Sequence, residues 1–115
     1  MYQFSYADVQ EDDVTESKDR ERQVLDRSID MLRNAMKLGG DSQEAIEAIY
    51  YTNRVWVRLI EDLGSEENQL DEELRANLIS IGIWIIKESE RIRHRESNNF
   101  QGIIDITTMI RDGLK

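Results

Sequence analysis

Apolar residues recur along this chain at intervals of three and four, the spacing that lines one face of an α-helix. The pattern is plainest where Leu74, Leu78, Ile81, Ile85, Glu88 and Ile92 advance by four, three, four, three and four, with Glu88 the one polar member. Ile79, Ile83, Trp84 and Ile86 add apolar surface on the other faces, so this stretch predicts a helix covered on several sides, the central member of a bundle. The isoleucines would also suit a strand, but the helical period runs from Leu74 to Arg95, far beyond the roughly 4–8 residues of a strand. Gly82, in the middle, disfavours a helix by roughly 1 kcal/mol relative to alanine. It points to a close crossing with a neighbouring helix, beside the plainer reading of a tolerated glycine.

The same period predicts further helices. One runs from a cap at Thr15 or Ser17 to about Leu38, with Leu25, Ile29, Leu32 and Met36 as its main stripe and Val24 and Met31 widening it. Gly39 and Gly40 end it. Asp41 with Glu44 has the spacing of a capping box and opens a helix that runs to Leu63 and stops at Gly64. Its core stripe is Ile46, Ile49, Trp56, Leu59, Ile60 and Leu63, while Tyr50, Tyr51, Val55 and Val57 lie to the sides, where some must be exposed or meet a partner. Asn68 or Asp71 is the expected cap of the central helix. After Ser97-Asn98-Asn99 a last helix carries Phe100, Ile103, Thr107, Ile110 and Leu114 on one face, with Ile104 beside them and Gly113 at its close. Two of the connections are short, which implies antiparallel neighbours.

Ahead of these elements, residues 1–16 show no helical face. Tyr2, Phe4 and Tyr6 alternate, which puts three rings on one side of an extended segment before the sequence turns acidic. Three readings stand: an arm lying in a groove of its own bundle, an arm that binds a partner or swaps with another copy, and simple disorder. The expected fold is therefore all-α, a small antiparallel bundle of about four helices over residues 17–115 with an extended N-terminal arm over 1–16.

Composition agrees. The chain has 115 residues, the size of one domain, with no proline and six glycines, which suits long helices and short connections. Without cysteine there is no disulfide, thiolate nucleophile or sulfur-ligated zinc, and a cytoplasmic location is expected. No apolar run approaches the roughly 20 residues that cross a bilayer, so no membrane association is expected. The net charge of -9 argues against direct binding to nucleic acid. That charge is concentrated: residues 1–23 sum to -4, residues 61–73 hold seven acids and no base, and the remainder sums to +2.

No catalytic set is visible. His94 is the lone histidine and sits among arginines at a helix end, where a role in complementing the helix dipole is the simplest one. Neighbouring carboxylates such as Glu61/Asp62 and Glu66/Glu67 point apart on a helix, and the Glu-x-x-His motifs of a di-metal bundle are missing, as are phosphate-binding loops and a GxSxG elbow. The run Arg91-Ile92-Arg93-His94-Arg95 is broken by Ile92 and balanced by Glu88, Glu90 and Glu96. No enzyme, cofactor or metal is expected. The residues most available to a protein partner are Tyr2, Phe4, Tyr6, Tyr50 and Tyr51.

Taken in order, MYQFSYADVQED, RERQVLDRSIDML, EAIYYTNRVWVRLIEDL, NQLDEELRANLISIGIWIIKESERIR and NFQGIIDITTMIRDGLK resemble the alphaproteobacterial FlaF family of flagellar biosynthesis proteins from end to end. The specificity lies in order and spacing, not in one motif. Asp71 departs from the proline that relatives often carry there, a residue suited to a first helical turn. The resemblance implies a positive factor for flagellin synthesis or secretion that acts with the regulator FlbT and binds flagellin as an export chaperone. It supplies no established binding or catalytic residues. Two other classes remain beside it: a regulator of flagellin synthesis acting through FlbT without holding flagellin, and a structural homo-oligomer. Monomer and small homo-oligomer are both compatible with the sequence.

Overall fold

In a computed structural model the chain forms four helices: α1 (Tyr6–Leu38), α2 (Gln43–Leu63), α3 (Glu72–Arg93) and α4 (Phe100–Gly113). The structure describes the backbone of residues 6–113 and the side chains of residues 18–113, and among these there is no strand. The all-α bundle read from the sequence is thus the fold observed. The predicted arm is not decided by it. Tyr2 and Phe4 lie outside the described residues, and the side chains of Tyr6, Thr15 and Ser17 do so as well.

The bundle is cyclic in its contacts. α1 packs on α2 and α4, α2 packs also on α3, and α3 meets α4 only lightly, while α1 and α3 stand across a diagonal, as do α2 and α4. The core comprises Leu25, Ile29, Leu32 and Ala35 from α1, Ala45, Ala48, Ile49, Val55 and Trp56 from α2, Ile85 and Ile92 from α3, and Phe100, Ile103 and Ile104 from α4. α3 is therefore a flanking helix and not the central one expected. Its only close neighbour along most of its length is α2, so Leu74, Ile83 and Trp84 remain exposed and Leu78 and Ile81 are half-buried. An apolar surface on every face records an appetite for neighbours, and this bundle supplies fewer than the sequence invites. Gly82 does mark a close crossing. A Cβ there would lie 2.9 Å from two side-chain carbons of Ile60 and 3.1 Å from Trp56 Cε3, so α3 approaches α2 where it has no side chain.

At the α1–α2 turn the expected stripes shift. Met36 and Ile46 are exposed, and Ala35, Ala45 and Ala48 fill the interface instead. A short connection draws the two backbones together, and only small side chains fit between them. Ser28 and Thr52, both fully buried, bridge the same helices by a hydrogen bond of 2.8 Å.

The helix ends explain the connections. Gly39 takes a left-handed φ of 94°, and its N–H donates to the Ala35 carbonyl at 2.8 Å. Ser42, not Asp41, caps α2: its backbone is extended, and its Oγ accepts from the Ala45 N–H at 3.1 Å and donates to the Gly39 carbonyl at 2.7 Å. Asp41 lies one residue too early for that geometry and pairs with Arg95. α2 stops at Gly64 as expected. Asp71 holds the capping position of α3 but makes no side-chain hydrogen bond to it, and Asn68 folds the connection by accepting from the Leu70 N–H at 3.0 Å. α3 ends in a Schellman motif, in which the Glu96 N–H donates to the Arg91 carbonyl and the Arg95 N–H to that of Ile92, with Arg95 left-handed at φ 64°.

Candidate functional site

Helix length creates the most distinctive surface. α4 has 14 residues against 21 in α2 and 22 in α3. Near its end Arg111 donates to Asp26 of α1 at 2.8 Å, which sets the level at which α4 stops. α1 continues beyond that level through residues 18–25, alongside the end of α2 with α3 across the diagonal, and no fourth helix closes the corner among the described residues.

The result is an apolar groove of about 700 Å³. Leu25, Trp56, Leu59, Leu63, Leu78 and Ile110 line it, so every helix contributes, and Leu70 of the connection adds an exposed edge. Trp56 is buried beneath it, with Cε3 turned toward Gly82 and Nε1 without an acceptor among the described residues. Around the rim stand Glu21, Asp62 and Glu67, with Lys18 the one basic member. Burial, and next the charge of Asp62, push the Glu21 carboxyl above its ordinary value, while Lys18 acts the other way. Like charges face one another here across an apolar floor.

A smaller hollow of about 480 Å³ lies at the opposite end, between the start of α2 and the end of α3, with Ile46, Tyr50, Asn53 and Glu90 among its walls. Tyr50, one of the predicted partner residues, is 63 % exposed there, with the Arg54 guanidinium 5.7 Å from its ring. Tyr51 is half-buried against the core under Arg27, at 5.2 Å, and lines neither hollow. The other three predicted residues, Tyr2, Phe4 and Tyr6, have side chains outside the described set, so the structure does not gather the five into one surface.

The basic run is internally matched. Arg91 donates to Glu88 at 2.8 Å, Arg93 donates to Glu90 at 2.8 Å, and Arg95 pairs with Asp41, while Ile92 is core. The Arg93 hydrogen bond lowers the Glu90 carboxyl pKa below its ordinary value, with a further hydrogen bond from Asn53 adding to the effect. His94 caps α3, with its Nε2 3.6 Å from Glu90. Glu88, which interrupts the apolar seam, is 6 % exposed and ties the end of α3 to the start of α4. Its second oxygen accepts from Asn99 Nδ2 at 3.2 Å, and Asn99 Oδ1 accepts from the Gly102 N–H at 3.0 Å, capping α4. Among the described residues no cluster of three or more His, Cys, Asp or Glu is placed to hold a metal ion, and no helix is long and apolar enough to cross a membrane.

Leu25, Trp56 and Leu63, read from the sequence as core, are buried, and Leu59 and Ile110 pack partly buried against the core; each also borders the groove. The usable signal was length. The glycines and caps gave α4 fewer turns than its neighbours, and a short helix in a bundle leaves a corner open.

No curated protein and no solved structure matches the chain. The model of the flagellar protein FlaF family matches residues 2–114. With agreement over nearly its whole length, from before α1 to the end of α4, this chain belongs to the FlaF family of flagellar proteins.

Proposed function

We propose that this protein binds flagellin in the cytoplasm as an export chaperone, and that by holding flagellin it promotes flagellin synthesis and secretion. The observation that supports this reading is the open corner: an apolar groove bordered by four helices, the form in which helical proteins receive a helix from a partner. Flagellin segments that become helical in the filament would otherwise associate before export, and a groove that covers their apolar face keeps them single. The absence of a catalytic constellation from the sequence fits a binding protein, and no cofactor is needed. The net charge of -9 disfavours direct contact with nucleic acid and keeps the complex in solution.

The decisive experiment is co-purification of the protein with flagellin from cells lacking FlbT. Flagellin is expected to remain bound. Recovery of flagellin only when FlbT is present would instead place the protein in a regulatory path that runs through FlbT. The companion variant Leu59→Ser, at the groove, is expected to release flagellin while the helical content measured by circular dichroism stays unchanged.

A further inference from the structure

The open corner has a chemical preference that goes beyond its apolar floor. Its rim carries Glu21, Asp62 and Glu67 against Lys18 alone. Asp62 and Glu67 belong to a stretch, residues 61–73, that runs from the end of α2 through the connection to the start of α3 and holds seven carboxylates without one basic side chain. Elsewhere acids find partners: Glu88 and Glu90 each hold an arginine, Asp41 pairs with Arg95, and Asp26 with Arg111. Among the side chains that line the groove itself three are acidic and one is basic, while Arg22, in the same stretch of α1, is engaged by Asp19.

The occupant can be identified by that imbalance. Residues 1–16 of the chain itself contain Asp8, Glu11, Asp12, Asp13 and Glu16 and no lysine or arginine, so bringing them to the rim adds like charge to like charge. A second copy, with the same acidic connection, is opposed for the same reason. An acidic helix is opposed too. We propose that the open corner receives an amphipathic helix that carries lysine or arginine beside its apolar face, the apolar side chains seating against Leu59, Leu78 and Ile110 and the basic ones meeting Glu21, Asp62 and Glu67. The inference rests on the reading of this corner as the flagellin-binding groove and states which part of a flagellin would fill it: a helical segment with basic flanks.

The test uses the full chain with Trp84→Phe, which leaves Trp56, at the groove floor, as the one indole. Two designed amphipathic peptides of about 18 residues, long enough to span some 27 Å as a helix, serve as probes. They share a leucine face and differ only in having lysine or glutamate beside it. Titration of Trp56 fluorescence is expected to show saturable binding of the lysine peptide, about tenfold tighter than the glutamate peptide, with the margin shrinking as salt is raised. The triple variant E21Q/D62N/E67Q is expected to bind the two alike. Equal affinities for the unaltered groove, preference for the glutamate peptide, or failure of both to bind by a Trp84→Phe protein whose circular dichroism matches the wild type would overturn the proposal, and these outcomes need no groove variant to fold. Fluorescence that changes with protein concentration alone would identify a second copy as the occupant. A gain in affinity for both peptides when Tyr2, Phe4 and Tyr6 are replaced by alanine would identify the protein's own arm. Either result also overturns the proposal. Full-length flagellin is titrated in parallel. Flagellin that binds the triple variant as well as the wild type overturns the basic-helix inference and leaves the flagellin reading standing, whereas discrimination between the peptides without flagellin binding supports the inference and removes flagellin as the partner.

Discussion

The two ends of this bundle are built on opposite principles. Where α1 turns into α2 and α3 into α4, every helix end is satisfied from within: Ser42 caps α2, the left-handed Gly39 and Arg95 close α1 and α3, Asn99 caps α4 and is itself held by Glu88, and Asp41 reaches Arg95 across the two turns. At the other end Asp71 makes no side-chain cap, Trp56 Nε1 has no acceptor among the described residues, and Glu21 stands against Asp62 beside the half-buried Leu59, Leu78 and Ile110. The first end spends its polar groups on stability. The second leaves apolar surface partly open and sets three acids against one base around it. The largest test of this contrast sits on one helix. Ile103→Ala, in the fully buried part of α4, is expected to lower stability by about 2–5 kcal/mol. Ile110→Ala, half-buried at the groove, should lower it by about 1 kcal/mol. Urea unfolding measures both, and equal losses would mean that the corner is as closed as the core.

A smaller difference separates the caps. Asn99→Ala removes the acceptor for the Gly102 N–H and one of the two partners of the buried Glu88, and a loss of about 1–2 kcal/mol is expected. Asp71→Ala is expected to change little, because its side chain bonds nothing at the start of α3. Thermal melting of the pair decides whether capping is confined to one end.

How far could the sequence have shown this asymmetry? The number of helices, their order, the stops at Gly39 and Gly64 and the tight crossing at Gly82 follow from period and glycine placement, because these are local properties of the chain. The partnership of each helix is not local. α3 read as central because its isoleucines face every direction, yet direction says nothing about how many neighbours arrive. Ser42 lost to Asp41 in the reading because both residue types cap helices and the choice depends on where the turn after Gly39 places the first free N–H. Alanines at 35, 45 and 48 carry a weak apolar signal, so Met36 and Ile46 drew the stripe one position aside. The groove was hidden for a related reason: its lining residues have core character, and only the relative heights of the four helix ends uncover them. Glu88 looked like a flaw in a seam until Asn99, eleven residues on, was found to need it.

The open end can be strengthened without touching the groove. Asp71 has a φ of -53°, within the range that proline enforces, and its N–H makes no hydrogen bond among the described residues. Asp71→Pro, the residue that the family resemblance leads one to expect, should therefore raise stability by about 0.4–1 kcal/mol by restricting the unfolded chain. A fall in melting temperature would show that the connection needs the freedom that aspartate allows.

The smallest effects distinguish the ends by the sign of their response to pH. Glu21, at the open end, has its pKa raised above 4.5, first by burial and then by Asp62. Its protonated form is thus favoured in the folded protein. That contribution is fully present below the ordinary value and is lost as pH rises through the folded one. Glu21→Gln, which resembles the protonated form, is expected to raise the melting temperature at neutral pH, and the gain should vanish once the pH falls below 4.5. Glu90, at the closed end, is lowered from the same 4.5, chiefly by the hydrogen bond from Arg93. Its ionised form is favoured in the folded protein, so its contribution is present above the ordinary value and is lost as pH falls through the folded one. Glu90→Gln is therefore expected to lower the melting temperature at neutral pH, with the difference fading in acid. Both carboxylates are partly open to water and both shifts in melting temperature will be small, but their signs are opposite. Melting curves of the two variants across pH 3 to 8, a range of about five units around the ordinary carboxylate value, measure those signs. If Glu21→Gln lowered the melting temperature at neutral pH, the pull of Lys18 would outweigh burial and Asp62, and the rim would hold no excess of negative charge to offer a partner.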